Sequence, residues 1–396
     1  MKRLRVGVLF GGRSTEHEVS ILSAQSIIGA MDRERFEAVP LYIDKEGRWL
    51  VGDSLKLLLS DEETRKYVYL PPDPTQHSLV PAFNGVAQSA LTPSRLASSE
   101  SPSPPEGEGR GGGLPALDVV FPVFHGLNGE DGSIQGVLEL ANIPYVGAGI
   151  LGSALGLDKI YMKRAFVAVG LPVVDYLPIT RREYERDPDA FIAQVEARIG
   201  YPCFTKFANS GSSVGTTKAH HRAELVEGLR LAGTFDRKLL VEKAVDAREL
   251  EVSVLGNDEP EASVVGEVVP AHEFYDYEAK YLDEGSRLII PAEIDDGLAT
   301  EVRSMAIRAF KAVDVAGMAR VDFFLDRGSG RVLLNELNTI PGFTRISMYP
   351  KLWEASGLPY AKLIARLIEL AIERFADKQR SQTAIDSRLL GSGNDA

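Results

Sequence analysis

The segment ARVDFFLDRGSGRVLLNELN, residues 319–338, carries the side chains best suited to chemistry. Residues two apart share a face of a β-strand, so Arg320 and Asp322 point the same way, as do Glu336 and Asn338 on the return. The Arg-Gly-Ser-Gly between them is a compact turn, which predicts that the two strands pair and that these polar groups converge. An aspartate, a glutamate and an asparagine carbonyl are hard oxygen donors, suited to magnesium bound together with triphosphate oxygens. Arg320 beside them could neutralise a transferring phosphoryl group or an oxyanion. The plain alternative is an antiparallel sheet with one wet face, although such faces are usually rich in Lys, Thr and Ser. This segment alone leaves both readings open.

Two further stretches gain weight beside it. NSGSSVGTTK (209–218) follows a strand that ends near Lys206. Its glycines let backbone approach a phosphate, its Ser hydroxyls and N–H groups can cradle one, and Lys206 supplies a cation for a triphosphate. No Gly-Lys-Ser/Thr follows at the spacing of a Walker A loop, and most Gly/Ser loops by themselves are turns. In VEKAVDARELEVSVLG, Glu242 and Lys243 end one strand and Glu249 begins the next. A glutamate there can accept ribose hydroxyls, and backbone at 242–244 can pair with an adenine edge. Read alone, this stretch favours a solvated connection.

The elements that must hold these residues alternate strand-like and helix-like patterns, which predicts an α/β fold. A strand at Arg5–Phe10 turns at Gly11-Gly12 into a helix with capping-box spacing at Thr15 and Glu18, and a face of Val19, Leu22, Ser23, Ser26 and Ile27. A buried-type strand at 118–126 is followed by a turn, a helix and a short strand. This is a doubly wound pattern without the dinucleotide fingerprint G-x-G-x-x-G. The expected division is an N-terminal α/β domain at 1–146, a central subdomain with the phosphate loop at 147–245, a C-terminal subdomain with the hairpin at 246–377, and a frayed tail at 378–396. The central part should hold a helix at Leu157–Val169, a strand at Cys203–Phe207, a helix near Arg222–Ala232 and a strand at Lys238–Glu242. The C-terminal part should hold strands at 249–256 and near 264–270, a helix at Gly297–Val313, the hairpin and a last helix near Tyr360–Phe375. Residues 87–114, nearly all Ser, Pro, Gly and charge, cannot bury enough apolar area to order themselves and read as a disordered insertion.

Composition narrows the class. At 396 residues the chain is too long for one ordinary core. No apolar run approaches a membrane span. The single cysteine, Cys203, excludes an intramolecular disulfide and a cysteine metal cluster, and its strand setting suggests a small buried hydrophobe. The net charge of −12 argues against nucleic acid and against a basic membrane surface. A soluble, cytoplasmic protein is expected.

With these pieces in order, nearly the whole sequence resembles the D-alanine–D-alanine ligases. GGRSTEHEVS and HGLNGEDGSIQG look like that family's two N-terminal substrate motifs, and LDKIYMK, KFANSGSSVG, VEKAVDARELE, FYDYEAKY, RVDFF and NELNTIPGFT follow in family order. The resemblance implies the three-domain ATP-grasp fold with ATP between its central and C-terminal parts. By that likeness Lys159, Lys206 and Ser213 would meet ATP phosphates, Glu242, Lys243, Glu249 and Phe274 the adenosine, and Lys280 the γ-phosphate. Asp322, Glu336 and Asn338 would hold two magnesium or manganese ions. Glu16 would bind the first D-alanine's ammonium, with His125 and Glu130 also on the substrate side. Ser212 and Tyr281 would meet across the site. Arg320 and the Gly342 N–H would stabilise the oxyanion, and Ser347 and Met348 would hold the second D-alanine's carboxylate. The implied reaction is ATP-dependent formation of D-alanyl-D-alanine through a D-alanyl phosphate, for peptidoglycan precursor synthesis, and the family expectation is a homodimer. Tyr281 goes with the dipeptide-forming type rather than with makers of the depsipeptide D-alanyl-D-lactate; a D-alanyl-D-serine ligase is the other alternative. A non-catalytic regulator on this fold would be expected to lose the carboxylates or Arg320. Phe207 stands where the family usually has proline, and the insertion is a second departure.

Overall fold

The computed structural model describes residues 2–52, 55, 59, 66–75, 77–82, 116–209, 211, 215–269 and 287–381. The insertion at 87–114, Ser212, Ser213, Phe274, Lys280, Tyr281 and the tail beyond Ser381 lie outside these residues.

The described residues build three sheets. In the first, β1 (Leu4–Gly11) is flanked by β2 (Phe36–Ile43) and β6 (Val119–Pro122), both parallel to it. Strands β3 (Trp49–Val51), β4 (Lys66–Tyr69) and β5 (Val80–Pro81) extend the β2 edge in antiparallel fashion. The period of two decides what each face covers. Val6, Val8 and Phe10 pack with Ala24 and Ile27 of the helix His17–Ala30 and with Leu363 and Leu367 of the last helix, Tyr360–Lys378. Leu9 packs the opposite way, with Ile134 and Leu138 of the helix Ser133–Leu140. Helices on both faces make this a doubly wound unit, and the antiparallel extension is an addition that the sequence reading did not anticipate.

The second sheet runs β7–β10–β8–β9, from Tyr176–Thr180, Lys238–Lys243, Cys203–Phe207 and Thr217–Ala219, all antiparallel. Helices Pro188–Arg198 and Arg222–Phe235 bury one face through Phe191, Val195, Leu225 and Leu229. Cys203 lies in that core, its thiol pushed up to about 11 by burial, as a structural hydrophobe should be. The third sheet runs β13–β12–β11–β14–β15, from Arg287–Ile289, Glu261–Val269, Ala247–Gly256, Gly317–Asp326 and Val332–Asn338. The helix Asp296–Ala312 covers one of its faces.

Four local expectations need correction. The Thr15–Glu18 capping box does not form: Glu16 is the N-cap, it makes no side-chain cap bond, and Glu18 pairs with Lys45 instead. On the same helix Leu22 is 54% exposed and not part of the buried face. The expected helix Leu157–Val169 forms as Lys159–Ala168, starting two residues later because the Asp158 carboxylate caps it by accepting from the N–H groups of Ile160 and Tyr161, and a separate helix, Ile150–Leu157, precedes it. The last helix continues to Lys378, whose ammonium pairs with Glu139, so order extends beyond the expected end.

Candidate functional site

The hairpin pairs as expected, and its register sets Arg320 opposite Asn338 and Asp322 opposite Glu336. Next to that pair the register shifts, leaving Asn335 as an extra residue between the partners of Asp322 and Phe323. Arg320 forks onto Asp322, Nε to Oδ1 at 2.7 Å and Nη2 to Oδ2 at 2.7 Å, and Asn338 donates Nδ2 to Oδ2 at 3.0 Å. From the neighbouring β11, opposite Asp322, Glu251 brings Oε2 to 3.0 Å from Arg320 Nε. Glu251 is 6% exposed and escaped the sequence reading. The signal was there, as a second glutamate two residues after Glu249 on an apolar strand.

Facing this sheet are lysines from the second sheet and from the helix that Asp158 caps. Lys159 Nζ lies 2.6 Å from Glu336 Oε2, and Lys206 Nζ lies 2.6 Å from Glu242 Oε2. Lys163, one helical turn after Lys159, reaches Glu242 Oε1 at 3.0 Å and donates to the Asn335 carbonyl at 3.0 Å. It too was missed, because a lysine on an amphipathic helix reads as solvated. Burial alone would raise the Glu242 pKa, but Lys163 and Lys206 outweigh it and hold the carboxyl at about 2. Burial pulls the Lys163 ammonium below the usual lysine value against the opposing pull of Glu242. For Lys159 the balance reverses: burial lowers it, Glu336 and its neighbours raise it more, and the net shift is upward. With both oxygens on lysines and only 2% of its surface exposed, the Glu242 side chain is sealed from ribose hydroxyls. Glu249 is half-buried on the same face as Glu251, and Lys243 is exposed at the end of β10.

No group of three or more His, Cys, Asp or Glu side chains among the described residues forms a metal cage. Asp322 and Glu336 stand opposite each other with Asn338 alongside. That open set of two carboxylates and an amide fits magnesium that completes its shell with triphosphate oxygens and water, not a closed protein site.

The loops of the first sheet meet this region from the other side. Glu16 is 5% exposed, and a Cβ built on Gly211 would stand 2.8 Å from its Oε2, one on Gly126 3.2 Å. The carboxylate therefore sits where two glycine turns leave room for it. His125 donates Nδ1–H to the Ile340 carbonyl at 2.8 Å, while its buried Nε2 has no hydrogen-bond partner among the described residues. Glu130 accepts from the Gly126 N–H and the Ile340 N–H, both at 2.8 Å, so its carboxylate ties two loops together. Ser347 Oγ accepts from the Thr344 N–H at 3.0 Å and lies beside Gly342. Met348 buries its side chain with Val268 and Leu352, leaving the start of the helix Met348–Ala355 as the polar feature there.

Two sheets that oppose lysines to carboxylates, joined to a doubly wound unit, match the architecture of the ATP-grasp class. The N-terminal model of the family described as D-ala D-ala ligase matches residues 5–148 and the C-terminal model residues 165–369. The D-alanine–D-alanine ligase of Heliobacterium modesticaldum is 50% identical over 391 residues, covering 98% of this chain and 100% of its own. That of Thermoanaerobacter sp. strain X514 is 48% identical, covering 96% and 99%. Among solved structures, the D-alanine-D-alanine ligase from Coxiella burnetii aligns with a TM-score of 0.79 at 33% identity, over 96% of this chain and 97% of that one. VanG D-Ala:D-Ser ligase from Enterococcus faecalis aligns with a TM-score of 0.78 at 30% identity, over 93% and 100%. The chain belongs to the D-alanine–D-alanine ligase family.

Proposed function

We propose that the chain joins two D-alanine molecules into D-alanyl-D-alanine at the expense of ATP, as a cytoplasmic step in peptidoglycan precursor synthesis. The observation that carries this reading is the Arg320–Asp322–Glu336–Asn338 cluster, set opposite Lys159 and Lys206 in a chain of this family. ATP lies between the second and third sheets, its phosphates toward Lys159, Lys206 and Lys280, its adenosine toward backbone at 242–244, Glu249 and Phe274. Asp322, Glu336 and Asn338 would hold two magnesium or manganese ions, which would supply charge neutralisation on the triphosphate.

Glu16 fixes the ammonium of the first D-alanine, with His125 and Glu130 shaping that end of the site. A carboxylate oxygen of this substrate attacks the γ-phosphorus, the bond to the ADP oxygen breaks, and an acyl phosphate forms. Ser347 and the backbone at Met348 hold the carboxylate of the second D-alanine. Its amine attacks the acyl carbon, and Arg320 with the Gly342 N–H takes up the oxyanion charge. The bond from the acyl carbon to the phosphate oxygen then breaks, and the departing inorganic phosphate takes the proton that the attacking nitrogen loses. Positioning and charge neutralisation carry such a reaction, and no side-chain nucleophile is required. By the family likeness, Ser212 and Tyr281 would close over the bound substrates.

The test is phosphate release from ATP with D-alanine, run beside L-alanine, D-lactate and D-serine. Release with D-alanine, accompanied by dipeptide, is expected. Faster turnover to an ester or to D-alanyl-D-serine would reassign the second substrate, and no amino-acid-dependent release would defeat the proposal.

A further inference from the structure

Glu242 stands between two lysines that differ in what surrounds them. Lys163 is 1% exposed at its side chain and sits behind the carboxylate, against Asn335; Lys206 is 14% exposed and sits in front, on the face of β8 that looks toward the third sheet. One carboxylate with one lysine would be a closed, neutral pair, and an incoming phosphate would have to compete with Glu242 for Lys206. Two lysines on one carboxylate leave a positive charge uncompensated within that trio, and Lys206 is the member with access. We infer that Lys163 is a positioning residue for the nucleotide: by neutralising Glu242 from the buried side it keeps Lys206 electropositive toward the phosphates. The inference rests on the nucleotide reading above. Lys163 itself touches no substrate, since protein groups enclose it.

The same geometry gives Lys163 a second link. Its donation to Asn335 holds the extra residue of β15 directly before Glu336, while Lys159, on the same helix face, holds the Glu336 carboxylate. One helix thus fixes the phosphate-facing cation of one sheet and a carboxylate strand of the other.

The test compares the dissociation constants of magnesium–ATP and of adenosine by calorimetry, using their ratio as the phosphate contribution. In Lys163→Met that ratio should fall about tenfold, the scale of one charge-assisted hydrogen bond. In Lys163→Met/Glu242→Gln, where nothing is left to bind Lys206 in place of phosphate, it should return to the wild-type value or exceed it. The double variant restores the trio's net charge to the wild-type value, with Lys206 as its one charged member, so it reads the phosphate contribution even where the single variant does not fold. Recovery in the double variant is a response that loss of packing alone does not produce. An unchanged ratio in folded Lys163→Met, or a double variant with a ratio well below wild type, overturns the inference alone. Failure of the wild type to bind ATP would instead overturn the nucleotide reading and this inference with it.

Discussion

Lys159 Nζ and Glu336 Oε2 lie 2.6 Å apart, with side-chain exposures of 12% and 18%. A cation proposed for phosphate and a carboxylate proposed for metal neutralise each other in the resting protein. Two carboxylates facing each other across strands would repel without metal, but here Arg320 covers Asp322 and Lys159 covers Glu336.

Glu336→Gln should therefore lower the melting temperature of the nucleotide-free protein, by a loss of about 1–3 kcal/mol for a charge-assisted bond. Turnover should drop by orders of magnitude, and added magnesium should recover little of it. Magnesium–ATP should raise the melting temperature of the wild type through linkage and that of the variant less. Scanning calorimetry with and without magnesium–ATP separates the two effects. Near-normal turnover would remove Glu336 from the metal site, and an unchanged melting temperature would make the ion pair energetically idle.

The pH dependence of stability should carry the signature of Glu242. Held at about 2 against an ordinary value of 4.5, its carboxyl binds fewer protons folded than unfolded. The stabilisation, on the order of 3 kcal/mol, is complete above the unfolded value and is lost as the pH falls through the folded one. Glu242→Gln removes it and leaves Lys163 buried without its counter-charge. The variant should unfold at lower urea concentration near neutral pH, and the gap to wild type should narrow between pH 4.5 and 2. A gap that stays constant across that window would show that Glu242 does not titrate as its two lysines require.

Much of the site was legible because strands have a period of two. Arg320, Asp322, Glu336 and Asn338 could be assigned to converging faces from spacing and a short turn, and the strands do pair with Arg320 opposite Asn338 and Asp322 opposite Glu336, although the bulge at Asn335 was not legible. Lys163 and Glu251 were not legible by that logic, since their importance comes from which groups of other elements surround them. Glu242 shows the limit from the other side. Its position at a strand end suggested a ribose acceptor, yet two lysines from separate elements close both of its oxygens. In the fold, long apolar strands such as β1 and β11 announced themselves. The short antiparallel strands β3–β5 did not, because two to four residues carry too little alternation to read.

Replacing residues 87–114 by a short Gly/Ser link should leave turnover and melting temperature nearly unchanged. The flanks are already joined by the Ser78–Ala116 bridge and the Leu117 N–H to His77 carbonyl bond at 2.9 Å, so the link need not draw them together. Loop-closure cost changes slowly with length, by roughly 0.6 kcal/mol per doubling. A tenfold fall in dipeptide formation, about 1.4 kcal/mol of transition-state free energy, would show that the segment contributes to the reaction.

Gly342 offers the most local test of the second-substrate end. A Cβ there would stand 2.8 Å from Ser347 Oγ, closer than such contacts allow. That hydroxyl accepts from the Thr344 N–H at 3.0 Å and shares a bond with Thr344 Oγ1 at 2.7 Å, so it cannot turn aside without losing both. Gly342→Ala should therefore displace Ser347, at about 1 kcal/mol for a lost neutral hydrogen bond. The KM for D-alanine at the second site should rise tenfold or more, while ATP affinity stays near wild type. Ser347→Ala removes the atom that clashes, so the alanine at 342 should do less harm in that background. The double-mutant cycle decides the matter: coupling well above the roughly 0.3–0.5 kcal/mol scatter of independent sites is expected in both stability and KM. Additive effects would mean that Gly342 is needed for its backbone alone, and that the contact with Ser347 plays no part in holding the second substrate.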